Sequence, residues 1–445
     1  MSSDHGEGRG VVPVARWVGS VLAAALGAAT LAVPLAPAAY AEVGACEGIE
    51  DDTTDADPVR TPSEPLDELR IAEATALLER DDRAPGQGIG VAVVDSGVDD
   101  DAPVNEVGAL PTDPRFSGTK ASVYYHGTAV AGLISGAERP DDGGPVGIAP
   151  AASIYDVRVY DDLEDDPEQG YRALTDEGVI DGLNRIADDV TPVPGAPRIR
   201  IVNVSLALQP SDALEHAVKR LAAKGVVVVA AAGNRPPDES DPVLGDFAGE
   251  EPLPGEDAAR VVFPAGYESV VAATSSAPRG LDPLAYVVQS SATDIAVPTI
   301  DAVSYAVNGQ SCLLGATPST SWAAAEVSGV LALLMSAYDE PPGRTLARLY
   351  RTATGAGDVT TRLSGHGVAQ PVEALQRPIT FEKGGAPETS ETNNSVLKAR
   401  APRPAADVLE DTRRDAVWWG LGGGGALVIA LLLRPLLARK RSDER

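Results

Sequence analysis

"RIRIVNVSLALQPSDALEHAVKRLAAKGVVVVAAAGN" occupies residues 198–234. Runs rich in Val and Ile, 198–206 and 226–234, flank a segment, 211–225, whose apolar residues recur at helical spacing. The second run opens with seven apolar residues in succession, "VVVVAAA". A strand with no polar face is covered on both faces, as in a parallel sheet sandwiched by helices. The stretch therefore reads as a strand–helix–strand unit.

The same texture extends outward. "GIGVAVVDS" (88–96), "SIYDVRVY" (153–160) and "SVVAATSS" (269–276) read as strands. "GTAVAGLISG" (127–136) and "DEGVIDGLNRIADD" (176–189) read as helices. The segment 321–338 is apolar nearly all round, the mark of a buried helix. Right-handed crossovers then predict one doubly wound α/β domain over 86–376, its mostly parallel sheet carrying helices on both faces.

The flanks differ in character. Arg9 and Arg16 precede the apolar stretch 17–37, and Ala39 and Ala41 have A-x-A spacing. This predicts a signal peptide over 1–41. Residues 42–85 are acidic and Pro-dotted, with one helical pattern, "PLDELRIAEATALLER" (65–80). Residues 377–415 read as a Pro-rich linker. "AVWWGLGGGGALVIALLL" (416–433) is uncharged, with Trp418 and Trp419 at its start and Arg434, Arg439, Lys440, Arg441 and Arg445 after it. It predicts a single transmembrane helix over 416–437 and a cytoplasmic tail over 438–445. The intervening domain is then extracytoplasmic, held on the cell membrane.

The formal net charge of −29 argues against a nucleic-acid partner. The two cysteines, Cys46 and Cys312, are expected to form a disulfide outside the cytoplasm. With four histidines in the chain, they do not suggest a zinc site. No metal or cofactor is expected. The acidic run "DDLEDD" (161–166) reads as a solvated loop, and so does the Pro-rich stretch 235–257.

In a parallel α/β sheet, chemistry collects beyond the carboxyl ends of the strands. Asp95 ends one strand and Asn234 another; His126 and Ser321 each begin a helix. Each alone has an ordinary reading as a turn or cap residue. Together they are the types that acyl transfer requires. A serine hydroxyl needs a base, and a histidine supplies one near neutral pH. A buried carboxylate orients the histidine, and an amide with free backbone N–H groups binds the oxyanion.

"VAVVDSGVD", "HGTAVAGLISG", "VNVSL", "VVVVAAAGN" and "STSWAAAEVSGVLALL" resemble the motifs of the subtilisin-like serine peptidases, in the order Asp, His, Ser. "GHGVAQPVEAL" (365–375) resembles the end of their catalytic domain. The arrangement of export signal, extension, domain, linker and anchor is similar to the mycosins. These are membrane-anchored peptidases of type VII secretion in actinobacteria.

The resemblance implies an Asp95–His126–Ser321 triad with Asn234 as oxyanion donor. It further implies that Ser205, Leu206 and Ala207, with Ala231, Ala232 and Gly233, line the substrate's first pocket. The implied activity is cleavage of secreted proteins. The other role it implies is structural, stabilising the secretion membrane complex. It implies that 42–85 is retained as a wrap around the domain, a cleaved prodomain being the alternative.

Some positions depart from the family pattern. Ser319 and Ala207 stand where glycine is usual, Ala325 where proline is, and Tyr124–Tyr125 precede the histidine where Asp-Gly is frequent in mycosins. Ser319 bears most on activity, because glycine in such loops often serves a left-handed backbone.

Overall fold

A computed structural model of the chain describes residues 45–49, 59–112, 124–163, 171–249, 251–278, 281–355, 359–379, 381 and 410–439. The expected signal peptide, most of the linker and the last six residues lie outside these.

The apolar runs form strands β1 (Gly90–Asp95), β3 (Ser153–Arg158), β4 (Ile199–Val204), β5 (Val227–Ala231) and β6 (Val270–Ser276). Two strands not read from the sequence, β2 (Glu106–Ala109) and β7 (Ile295–Pro298), flank them. The sheet runs β2-β3-β1-β4-β5-β6-β7, and every pairing in it is parallel. Its side chains alternate between two cores. Val91, Val93, Ile201 and Val229 face one, with helices α3 (His126–Ser135) and α6 (Thr320–Ala337). Ala92, Val94, Val202 and Val228 face the other, with α4 (Asp176–Asp188) and α5 (Asp212–Ala223). This is the expected doubly wound layering, with the order of the central strands reversing around β1.

Helices α4 and α5 are amphipathic, and each starts on a hydroxyl cap: Thr175 accepts from Gly178 N, and Ser211 from Leu214 N. Helix α6 differs. Fifteen of its residues are buried, because it runs through the first core beneath β4, β5 and β6. Its apolar composition therefore reflects burial in protein.

The helical pattern at 65–80 is two helices, α1 (Glu64–Glu68) and α2 (Ile71–Glu79). Arg70 breaks it in the left-handed region at φ 56°, with its guanidinium held by Glu73 at 2.6 Å and Glu373 at 2.7 Å. Leu66, Leu69, Ile71, Ala74 and Leu78 are buried in the same core as α6.

The hairpin β8 (Ala302–Tyr305)–β9 (Ser311–Leu314) also binds the segment before α1. Val59 N donates to Ser311 O at 3.1 Å, and Val303 N to the Ser63 hydroxyl at 3.2 Å. Cys46 and Cys312 are disulfide-bonded as expected, with Cα atoms 4.9 Å apart. Helices α7 (Pro342–Thr352) and α8 (Pro371–Gln376) follow α6.

Residues 388–445 form a separate unit, of which helix α9 (Glu410–Arg439) is described. Its stretch Ala416–Arg434 is long and apolar enough to cross a membrane, and its side chains there are exposed.

Candidate active site

Asp95 closes β1 and is fully buried. Gly97, at φ 101°, turns the chain away. Gly127 lets α3 approach that turn: a Cβ there would lie 2.4 Å from Gly97 O. This close approach brings His126, the first residue of α3, onto Asp95. His126 Nδ1 lies 2.8 Å from Asp95 Oδ1, and both residues are buried. Asp95 Oδ1 also accepts from Ser96 N at 2.8 Å and from the Tyr160 hydroxyl at 3.0 Å. A carboxylate so placed holds the imidazole with its proton on Nδ1, leaving Nε2 as the acceptor.

Aromatic rings enclose the imidazole. Trp322 lies 4.9 Å from it, Tyr124 stacks at 6.0 Å, and Tyr125 meets it edge-on at 6.4 Å. Tyr124 and Tyr125, a departure from the family pattern, thus form part of its wall. Burial, followed by nearby acidic groups, pushes the Tyr125 phenol up to about 12 and Tyr124 higher still, so both stay neutral.

Ser321 is the second residue of α6 and is half-buried. Its backbone N–H belongs to the first helical turn, where donors have no intrahelical acceptor and the dipole favours negative charge. Its hydroxyl donates to Ser205 O at 3.1 Å, not to His126. Hydrogen bonds of catalytic groups are often loose without substrate, so this geometry does not exclude such a pairing.

Sequence reading missed what holds this end of α6. Ser205 Oγ donates to Ser321 O at 2.8 Å and accepts from Asn203 Nδ2 at 2.9 Å; Ser328 Oγ donates to Asn203 Oδ1 at 3.1 Å. This buried relay ties the end of β4 to two turns of α6. Its signal was available: Asn203 interrupts a Val/Ile run at a core position. Ser205, expected as a substrate contact, is also part of this relay.

Asn234 follows β5 and is exposed. Its Oδ1 accepts from Thr320 N at 2.7 Å and Thr320 Oγ1 at 2.9 Å. A backbone N–H can only donate, so the amide orientation is fixed by this network and Nδ2 is left to donate. Gly233, at φ 117°, makes the turn between β5 and Asn234, and its N–H donates to Thr320 Oγ1 at 3.2 Å.

Leu206, Ala231 and Ala232 are buried and Ala207 is half-buried, on segments leaving the adjacent ends of β4 and β5. Ser319 has φ −137°, ordinary extended backbone, so glycine's freedom is not needed there.

The stretch 235–257 is more ordered than its composition suggested. The Arg235 and Glu256 side chains form a buried ion pair at 2.6 Å that closes its base. Among the described residues no cluster could hold a metal ion. Of the acidic run at 161–166, Asp161 pairs with Arg158 at 2.6 Å, while 164–166 lie outside the described residues.

Residues 86–368 match the subtilase family of the peptidase S8 class. Mycosin-1 of Mycobacterium tuberculosis is 30% identical over 327 residues, 68% of this chain and 72% of the relative. The major intracellular serine protease of Bacillus subtilis is 33% identical over 297 residues, 63% of this chain and 81% of the relative. The solved structure of the serine protease MycP1, described as an essential component of the type VII (ESX-1) secretion system, has a TM-score of 0.54 at 27% identity. It covers 75% of this chain and 92% of that one. MycP3 of the ESX-3 system has a TM-score of 0.52 at 26% identity, covering 74% and 92%. With the family match spanning well over half its length, the chain belongs to the subtilase family and is a serine endopeptidase related to the mycosins.

Proposed function

We propose that Asp95, His126 and Ser321 are the triad of a membrane-anchored, extracytoplasmic endopeptidase acting on secreted proteins. The observation that carries this reading is the buried 2.8 Å contact between Asp95 and His126 beside the N-terminus of α6. Substrate binding swings the Ser321 hydroxyl from Ser205 O towards His126 Nε2. The imidazole takes its proton as Oγ attacks the scissile carbonyl. The oxyanion is bound by Asn234 Nδ2 and the Ser321 N–H. His126 then protonates the leaving amine, and water, activated by the same base, releases the acyl group. Asp95 stabilises the imidazolium throughout.

Segments Ser205–Ala207 and Ala231–Gly233 are proposed as the two walls of the first substrate pocket. The Ala207 methyl narrows it. Peptides with Ala, Ser or Val before the cut should be cleaved about tenfold or more faster than those with Phe or Tyr. Competition between such peptides, read as kcat/KM ratios, checks this; preferred cleavage after Phe or Tyr contradicts it.

The basic residues after α9's apolar stretch support a cytoplasmic tail, and the disulfide supports an oxidising compartment for the domain. The extension is proposed as a retained wrap, because it contributes buried core residues as well as the disulfide.

Similarity to MycP1 supports a place at a type VII secretion membrane complex. A scaffold role there is supported by the description of MycP1 as an essential component of its secretion system. Ser321→Ala introduced into a strain lacking the chain separates the readings. Lost secretion is expected if cleavage is required, and restored secretion supports the scaffold.

A further inference from the structure

We propose that Tyr160 is a positioning residue of the catalytic apparatus, its hydroxyl fixing and partly neutralising Asp95 so that His126 keeps its working basicity. The inference rests on the proposed triad.

Tyr160 follows β3, the neighbour of β1. Parallel register places Asp95 opposite Arg158, and Val159 N donates to Asp95 O at 2.9 Å. Two residues beyond the register partner, the Tyr160 side chain reaches back over the end of β1. It is 1% exposed, so its hydroxyl must find its partners inside the protein. It donates to the same oxygen, Asp95 Oδ1, that receives His126 Nδ1, and the Ser96 side chain also bonds the phenol. Asp95 Oδ2 is buried without a hydrogen-bond partner among the described residues. Among the described residues the carboxylate's hydrogen bonds therefore converge on one oxygen, and Tyr160 supplies a side-chain hydroxyl to it. Burial and the adjacent Asp95 charge keep the phenol protonated, so it remains a donor.

Other groups around the pair are Tyr124 and Tyr125 before α3, Ser96 on the turn after β1, Asp156 and Arg158 on β3, and Asp161 and Asp162 beyond it. Of these, Arg158 is engaged with Asp161 at 2.6 Å. Tyr124 packs against Tyr160 with centroids 6.2 Å apart, so the ring also has a packing role, which a phenylalanine would preserve.

A hydroxyl that donates to a carboxylate withdraws negative charge from it. Removing the hydroxyl leaves Asp95 a stronger partner for the imidazolium. The imidazolium is then held more tightly, and Asp95 itself is less firmly held.

The experiment compares Tyr160→Phe with the parent, measuring kcat, KM and the pH profile of kcat/KM. Expected is a fall in kcat on the order of tenfold with KM little changed, and an acid limb displaced to higher pH by a few tenths of a unit. In an Asp95→Asn background, the same substitution should have no further effect on the profile. Superimposable profiles and equal kcat for Tyr160→Phe and the parent overturn the proposal. So does an equal loss in the presence and absence of the Asp95 carboxylate, since that marks a packing role. His126→Ala and Ser321→Ala, assayed alongside, distinguish failure of the triad reading: their retained activity sinks both, whereas their inactivity with a silent Tyr160→Phe sinks only the tyrosine.

Discussion

Replacing Ser321 by alanine is expected to lower kcat by a factor on the order of 10⁶ while leaving the fold intact. Among the described residues the hydroxyl's hydrogen bond is to Ser205 O, and the contacts that hold this end of α6 use other atoms. Ser205 Oγ bonds the Ser321 carbonyl, and Asn234 bonds Thr320. Alanine therefore removes the proposed nucleophile without releasing the helix. Triad members act as a unit, so adding His126→Ala to Ser321→Ala should cost little more, whereas independent roles would multiply. Steady-state rates on one peptide for the two single variants and the double variant test this.

The second large effect concerns stability. Glu326 lies on α6, five residues after Ser321. It is 1% exposed, and among the described residues neither carboxyl oxygen has a hydrogen-bond partner. Burial, then the charge of Glu68 on α1, pushes its pKa well above the ordinary carboxyl range. The sign follows from proton linkage. Between the unfolded and folded pKa values the native state binds more protons than the unfolded chain, so stability falls as pH rises. The carboxyl's contribution is fully present below the unfolded value, near pH 4.5, and is lost as pH climbs through the folded one.

Glu326→Met, which keeps the volume and removes the unsatisfied polar group, should therefore stabilise the domain by about 1–3 kcal/mol at neutral pH. Asp156, raised to about 7, and Glu106 and Asp294, each raised to about 6, add slopes of the same sign. The difference between variant and parent isolates Glu326. Thermal unfolding between pH 4 and pH 8 should give curves whose separation is smallest at the acidic end and grows towards neutrality. A constant offset across that range would contradict the burial of a titrating acid.

The physical basis of these two expectations also explains what could be read from the sequence. Continuous Val and Ile runs define β1, β4, β5 and β6, because a strand covered on both faces leaves an unambiguous apolar signature. The same runs end in Asp95 and Asn234, so strand ends and functional side chains were legible together. The edge strand β2 and the hairpin β8–β9 were not. They are four residues each, and β2 is half-exposed and contains Gly108 at φ 152°. The break between α1 and α2 was hidden because Arg70 adopts a left-handed backbone held by Glu73 and Glu373, the latter far along the chain.

Within the site, residue types at strand ends and helix starts pointed to Asp95, His126, Asn234 and Ser321. The residues supporting them, Tyr160, Asn203 and Ser328, owe their roles to strand register and helix packing, which a linear reading does not reveal. Ser319 illustrates the opposite case. Its departure from glycine looked consequential until the backbone proved extended.

The most direct test of the proposed chemistry is to treat the folded chain with a fluorophosphonate and locate the adduct by peptide mass spectrometry. The mechanism predicts one phosphonyl group on Ser321, lost in Ser321→Ala and strongly slowed in His126→Ala. Labelling at another residue, or undiminished labelling of Ser321→Ala, would contradict it.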